Sequence, residues 1–236
     1  MLLYQPHDGY CYNSDTHFLY NFIIENLKIF KNIQGELLDI GSGSGILGLL
    51  VCRDNEKLNL NQCEIQEKFQ KLTNLNSKNN QIKNNIYTED FNDCKFDKTF
   101  DYCVSNPPFY HGSVVKSMNE NIKIARYNDS LPLETFIKKT YNILSRNGKF
   151  FFCYDVKQIN DIIYMLNKYR FNIEAMQFVY PSINKDATLI LVYARKNSKS
   201  MTKVLPPLIV FENENFTKKV EEIYKKTSTH SIKVEI

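Results

Sequence analysis

Asn106-Pro107-Pro108-Phe109 is the run whose residue types could do chemistry. It follows an apolar segment and brings together an amide, a rigid backbone carbonyl and a flat ring. An exocyclic amine conjugated to a ring, or an amide nitrogen, is a poor nucleophile because its lone pair is delocalised. The Asn106 side-chain oxygen can accept one N–H of such an amine, and the Pro107 carbonyl can accept the other. Those bonds orient the nitrogen and favour its change toward tetrahedral geometry as an electrophile arrives. Pro107 and Pro108 fix their own φ, and each restricts the residue before it, so the acceptors are pre-placed. Phe109 offers a face on which a flat base can stack. No strong general base is needed if the proton leaves after group transfer. Holding nucleophile and electrophile in line supplies much of the acceleration.

The second chemical feature is glycine placement. Gly41, Gly43, Gly45 and Gly48 are four of the eight glycines in the chain. They follow the strand-like Leu37-Leu38-Asp39-Ile40 and open a helix-like run. Such a turn lets backbone approach a ligand closely and points helix N-terminal amides at it. Ligands of open α/β sheets sit at the carboxyl ends of the strands. Two patterns overlap. Gly43-x-Gly45-x-x-Gly48 fits a dinucleotide fingerprint, whereas Asp39-x-Gly41-x-Gly43-x-Gly45 fits a loop that binds S-adenosylmethionine. Glu64, 19 residues after Gly45, would hydrogen-bond ribose hydroxyls in either case. A hydride-transfer enzyme has no use for Asn-Pro-Pro-Phe, and an enzyme that methylates amines does, so the second motif favours S-adenosylmethionine.

The elements that must position these residues are legible as an alternation. Ser14-Asp15-Thr16 offers helix-cap chemistry, and Phe18, Leu19, Phe22, Ile23, Leu27 and Phe30 recur at helical spacing, predicting a helix over 15–31. Strands are predicted at 36–40, 58–64, 85–88, 100–105 and 149–154, with helices at 45–54, 66–79, 131–146 and 157–169. The last of these strands follows Gly148, read as the stop of the preceding helix. Strands at 171–180 and 187–195 close the domain, joined by a connection too short for a parallel crossover and hence antiparallel. Strands alternating with helices predict an α/β fold with a mainly parallel sheet. The chain reads as a single domain over 1–236. Residues 1–34 form a segment and helix over the cofactor pocket, 35–196 the core, and 197–236 a basic extension with a surface helix at 216–226.

Composition bounds the rest. With 236 residues and 43% apolar content, the chain can fill one good-sized core. The six cysteines are scattered with no Cys-x-x-Cys, which predicts free thiols in a reducing compartment and no metal site. No signal peptide or membrane span is predicted, and the cytoplasm is the expected location. The net charge of +4 is carried by residues 195–236, which hold nine Lys/Arg against five Asp/Glu. Arg195, Lys196, Lys199 and Lys203 form a run without an acidic residue, read either as phosphate contacts or as a solvated loop. His7, His17 and His111 are isolated and carry no catalytic assignment. Asp15 reads as a helix cap or as a carboxylate lining the pocket.

Taken in order, Asp-x-Gly-x-Gly-x-Gly, Glu64 after the second strand, Asp90 after the third and Asn-Pro-Pro-Phe after the fourth resemble a class I S-adenosylmethionine-dependent amino-methyltransferase. Tyr4-Gln5-Pro6, Gly9-Tyr10, Asn13-Ser14-Asp15, Ser105 to Tyr110, Ala125-Arg126, Ala194-Arg195-Lys196 and Pro206-Pro207-Leu208 resemble, more narrowly, the bacterial tRNA1(Val) adenosine-37 N6-methyltransferase family. The resemblance implies a Rossmann-like fold: a mainly parallel seven-stranded sheet, an antiparallel final strand and helices on both faces. It implies S-adenosylmethionine as cofactor, with Asp39, Gly41, Gly43 and Gly45 on its methionine part. Glu64 would then bind ribose and Asp90 the adenine amine. Asn106 to Phe109 would hold the target adenine of a tRNA, with Asn106 also beside the cofactor. Arg126 is a candidate RNA contact. Tyr127-Asn128 depart from the family's His-Glu, so a role for that pair does not transfer. A monomer is expected. Protein glutamine, rRNA guanine N2 and DNA adenine methylation are competing substrates, and a non-catalytic RNA-binding relative is a further reading.

Overall fold

The computed structural model describes residues 1–7, 11–107 and 131–235. In chain order the elements are β1 (Leu2–Pro6), α1 (Ser14–Leu27), β2 (Gly35–Ile40), α2 (Ile46–Arg53), β3 (Leu58–Cys63), α3 (Glu67–Asn79), β4 (Asn84–Tyr87) and β5 (Phe100–Ser105). Then come α4 (Leu133–Ile143), β6 (Leu144–Asp155), α5 (Ile159–Lys168), β7 (Phe171–Tyr180) and β8 (Leu189–Lys196). Four two-residue strands follow: β9 (Lys203–Val204), β10 (Leu208–Ile209), β11 (Phe211–Glu212) and β12 (Asn215–Phe216). Last are α6 (Lys218–Thr227) and β13 (His230–Val234).

The central sheet runs β4-β3-β2-β5-β6-β8-β7, and β10 and β9 add short pairings to β7. The pairs from β4 to β6 are parallel, and β8 lies antiparallel between β6 and β7. This is the expected Rossmann-like α/β arrangement. The strand order reverses between β2 and β5, where crossovers leave for opposite sides, and a crevice opens at their carboxyl ends.

Alternation along β6 sorts the helices onto the two faces. Phe150 and Phe152 stack on each other and meet Phe136 of α4, with ring centroids 5.2 and 5.8 Å from it. Phe151, pointing the other way, meets Phe22 of α1. All five rings are at most 1% exposed. Cys153, two residues beyond Phe151, therefore shares the α1 face.

Three local expectations are corrected. The first concerns the helix predicted over 131–146, which ends at Ile143 because Leu144 turns extended and pairs with Phe100. Gly148 then lies inside β6, beside a register shift, rather than capping a helix. The second is the N-cap of α1. Asn13 holds that position and makes no side-chain cap bond, so Asp15 is a first-turn residue. The third concerns the 1–34 segment, assigned only a helix from sequence, which also opens with a strand: Leu2–Pro6 pairs in parallel with His230–Val234, so the two ends of the described chain lie together.

Arg53 fastens that closure. Its guanidinium donates to the carbonyls of Thr227 (2.6 Å) and Lys226 (3.2 Å), to the Tyr20 hydroxyl (2.9 Å), and pairs with Asp54 (2.7 Å). Thr227 and Lys226 carry terminal helix carbonyls that lack intrahelical donors. Arg53→Ala is expected to cost about 2 kcal/mol, the range for hydrogen bonds to a charged group. Urea unfolding checks this, and an unchanged midpoint would remove the assigned role.

Candidate functional site

The glycine loop leaves β2 and turns through three left-handed residues, Gly41 (φ +65°), Gly43 (φ +55°) and Gly45 (φ +84°). L-residues with side chains rarely hold such angles. A Cβ built on Gly41 or Gly43 would meet nothing within 4 Å, so the loop faces open space there. At Gly45 a Cβ would come within 2.8 Å of Gln62 Nε2 and 3.2 Å of Thr73 Cγ2, so space is tight there as well. The loop amides of Gly41 and Ser42 donate to the Cys63 carbonyl at 2.9 and 3.1 Å.

Polar side chains of α3 and β1 hold the loop from behind. Thr73 Oγ1 donates to the Gly43 carbonyl (2.7 Å), and Asn76 Nδ2 to the carbonyls of Ser44 (2.8 Å) and Tyr4 (3.0 Å). Gln5 Nε2 donates to Ser44 Oγ (2.6 Å). Gln5, Thr73 and Asn76 are buried, so these bonds replace solvent at little net loss. From sequence, Gln5 enters only within the Tyr4-Gln5-Pro6 resemblance and is given no role, and Thr73 and Asn76 are not singled out. Their only signal is a helix whose polar residues outnumber its apolar ones, although one of its faces must be buried.

The acidic groups expected at the site fall in three settings. Asp39 is buried at the end of β2 and accepts from the Gly48 amide (2.8 Å). Burial pushes its carboxyl up to about 7, and the charge of Glu64 adds to the rise. Glu64 bridges the Gly43 and Gln66 amides, each at 2.8 Å, and burial raises its carboxyl as well. The Ile65 amide also bonds this carboxylate, and with about four acceptor positions it keeps capacity for a ribose hydroxyl. Asp90 stands past β4, where its carboxylate accepts from the Asn92 amide (2.7 Å) and its carbonyl from Asp93 and Cys94. It organises that turn and does not line the cleft described next.

The cleft lies at the carboxyl ends of β2 and β5. Asp39, Gly41, Ser42, Gly43, Ser44 and Asn106 line it, with Tyr12, Thr16 and Phe69 beside them. Asn106 follows directly on β5, where the sequence placed it. Its Nδ2 donates to Thr16 Oγ1 (3.0 Å), and its Oδ1 accepts the Cys153 thiol (3.0 Å). Pro107 is described, whereas Pro108, Phe109 and Arg126 lie outside the described residues, as do Tyr10, Tyr110 and His111. Of the histidines, His17 is buried between Tyr12 and Tyr224, and desolvation lowers its imidazole to about 4.

The basic run falls elsewhere. Arg195 pairs with Lys149 in the middle of β6, whereas Asn106 lies level with Cys153 near its end. Four residues of strand, about 13 Å, separate the two levels. Lys196 donates to the Tyr141 (2.9 Å) and Leu144 (3.0 Å) carbonyls and so caps α4. Lys199 and Lys203 are exposed, the latter on β9 at the sheet edge. The run is therefore not gathered around the cleft, and its Lys196 ammonium is already engaged.

The cleft can be tested for the donor and acceptor pattern of an amino-acid-bearing sulfonium cofactor. Ser42 Oγ is buried there without a hydrogen-bond partner, and the space above Gly41 and Gly43 is open. Buried polar atoms in native folds are partnered, so a ligand with polar groups fits this cradle. Among the described residues no cluster suited to a metal ion is found, no helix is long and apolar enough to cross a membrane, and all six cysteines are free.

Comparison with known proteins bears on the same region. Residues 20–169 match the model of the methyltransferase small domain family. The tRNA1(Val) (adenine(37)-N6)-methyltransferase of Pedobacter heparinus is 26% identical over 157 residues, 66% of this chain and 67% of that protein. A release factor glutamine methyltransferase of Flavobacterium psychrophilum is 28% identical over 176 residues, 66% of this chain and 59% of that one. Among solved structures, a predicted O-methyltransferase from Agrobacterium tumefaciens superposes with a TM-score of 0.67 at 18% identity, over 93% of this chain and all of that one.

Proposed function

The chain belongs to the methyltransferase small domain family, and we propose that it methylates the N6 amine of an adenosine in tRNA. The proposed position is 37, in the anticodon loop of tRNA1(Val). The methyl donor is S-adenosylmethionine, which supplies a methyl group on a positively charged sulfur. The observation that carries the reading is the adjacency of Asn106 to the glycine loop, both lining one cleft.

The roles of the chain's own residues follow. Asp39 and the backbone at Gly41, Gly43 and Gly45 hold the methionine part and Glu64 the ribose; Asp90, past β4 and outside that cleft, would meet only the far, adenine end of the cofactor. Asn106 Oδ1 and the Pro107 carbonyl accept the two N–H groups of the target amine. Pro108 and Phe109, outside the described residues, keep the roles expected from sequence, in which Pro108 would stiffen the backbone and Phe109 would offer a face to the base. Together they orient the amine lone pair and stabilise its developing positive charge. An anticodon-loop base is unpaired or easily splayed, so presenting it costs little compared with a duplex base.

The likeness to the Pedobacter enzyme supports adenine in tRNA, and the likeness to a glutamine methyltransferase supports the same site acting on a side-chain amide. Labelled methyl transfer to total tRNA and to release factor, both from a deletion strain, separates them. The expected result is N6-methyladenosine mapped by mass spectrometry to position 37. Label that enters a release-factor glutamine or a guanine instead would overturn the adenine assignment while keeping the reaction class.

A further inference from the structure

Asn106 is held by two buried side chains that no catalytic role accounts for. Thr16, in the first turn of α1, is 3% exposed, and Cys153, on β6, is fully buried. They stand 90 and 47 residues from Asn106 in sequence. The parallel register brings Cys153 there, because Ser105 pairs with Phe152 and the next residues of both strands are neighbours. The α1 face of the sheet brings Thr16.

We propose that Thr16 and Cys153 are positioning residues that fix which end of the Asn106 amide meets the target amine. This rests on the reading of Asn106 as the amine acceptor. An amide has an acceptor end and a donor end of nearly the same shape. Only the Oδ1 end can receive an amine N–H, and a rotated amide would set donor against donor. In the observed orientation Nδ2 donates to the Thr16 hydroxyl and Oδ1 accepts one thiol proton, leaving a second Oδ1 lone pair for substrate. In the rotated orientation an N–H would face the Cys153 sulfur, which is a weak acceptor. Cys153 therefore selects the polarity, and Thr16 anchors the plane. Burial holds the Cys153 thiol well above its ordinary pKa, so it remains a donor at neutral pH.

The test is a double-mutant cycle on the full chain. Thr16→Val keeps the shape and removes the hydroxyl, whereas Thr16→Ser keeps the hydroxyl. Thr16→Val is expected to lower kcat for tRNA methylation roughly tenfold, to leave the KM for S-adenosylmethionine within about twofold, and to be rescued by Thr16→Ser. Cys153→Ala is expected to lower kcat in the same way. In an Asn106→Ala background, followed by single-turnover transfer of labelled methyl, neither substitution should reduce the rate further. Wild-type kcat in Thr16→Val and Cys153→Ala would overturn the proposal, as would equal losses in both backgrounds. A large loss in Asn106→Ala alone, with those variants unaffected, would remove the positioning role and keep the acceptor. Wild-type turnover in Asn106→Ala would remove both.

Discussion

Asn106→Ala is expected to lower the rate of methyl transfer by about 10²- to 10³-fold, the usual loss when one preorganised polar group is removed from a transition-state site. The expectation follows from where charge develops. The target amine begins with its lone pair spread into a ring and ends as a cation, so an acceptor on its N–H is worth more at the transition state than in the bound ground state. Asn106 is preorganised for this, since both ends of its amide are tied to buried partners, Thr16 and Cys153. Removing it loses the acceptor and leaves those partners without their amide, so the fold is checked in parallel by urea unfolding. The decisive measurement is the split between kcat and cofactor affinity. A fall in kcat far larger than any loss of S-adenosylmethionine binding by calorimetry supports the assignment. Asn106→Asp keeps an acceptor oxygen and should retain more turnover than the alanine variant. If Asn106→Ala keeps kcat within about twofold of wild type, the amine is held elsewhere.

The difference between what was legible in the sequence and what was not follows the range of the interactions. Largely apolar runs such as Leu37–Ile40, broken by Asp39, and Phe100–Ser105, broken by Asp101, mark strands that are mostly buried. The motif residues stand at their ends, where local pattern suffices. The ends of elements were less secure. Leu144 continues the apolar spacing of the helix before it, yet its pairing with Phe100 makes it strand. The β1–β13 pair was invisible because both strands are five residues long, one bears a proline, the other is largely exposed, and they are more than 220 residues apart. Shorter but still non-local separations, 90, 39 and 32 residues, hid the bonds of Thr16, Gln5 and Asn76 to the site. Charge composition singled out Arg195 and Lys196 but carries no information on which end of a strand faces the cleft. That depends on β8 running against its neighbours.

Asp39 should make the protein less stable as pH rises toward neutrality, the opposite of a carboxylate in an ion pair. Its carboxyl lies at about 7 in the fold against an ordinary 3.8, and burial is the main cause. The folded state therefore holds a proton that the unfolded chain gives up at lower pH. A raised folded pKa contributes stability that is complete below about 3.8 and is lost as pH climbs through about 7. The full span corresponds to about 4 kcal/mol, of which about 2 kcal/mol falls between pH 5 and pH 7. Glu64, also raised by burial, contributes in the same direction. Asp39→Asn separates the two, because it keeps an oxygen to accept the Gly48 amide and cannot ionise. Urea unfolding across this range should give the variant a flatter profile and, at pH 8, higher stability than wild type. The cofactor should respond with the other sign. If Asp39 receives a cationic group of S-adenosylmethionine, binding favours the carboxylate, so affinity should strengthen as pH rises toward 7 and weaken sharply in Asp39→Asn. Parallel stability profiles for the two proteins would show that Asp39 does not carry the proton. Unchanged affinity in the variant would move the methionine end of the cofactor away from β2. A variant that is both more stable at pH 8 and poorer at holding the cofactor would establish that the buried carboxylate is kept for binding at the expense of the fold.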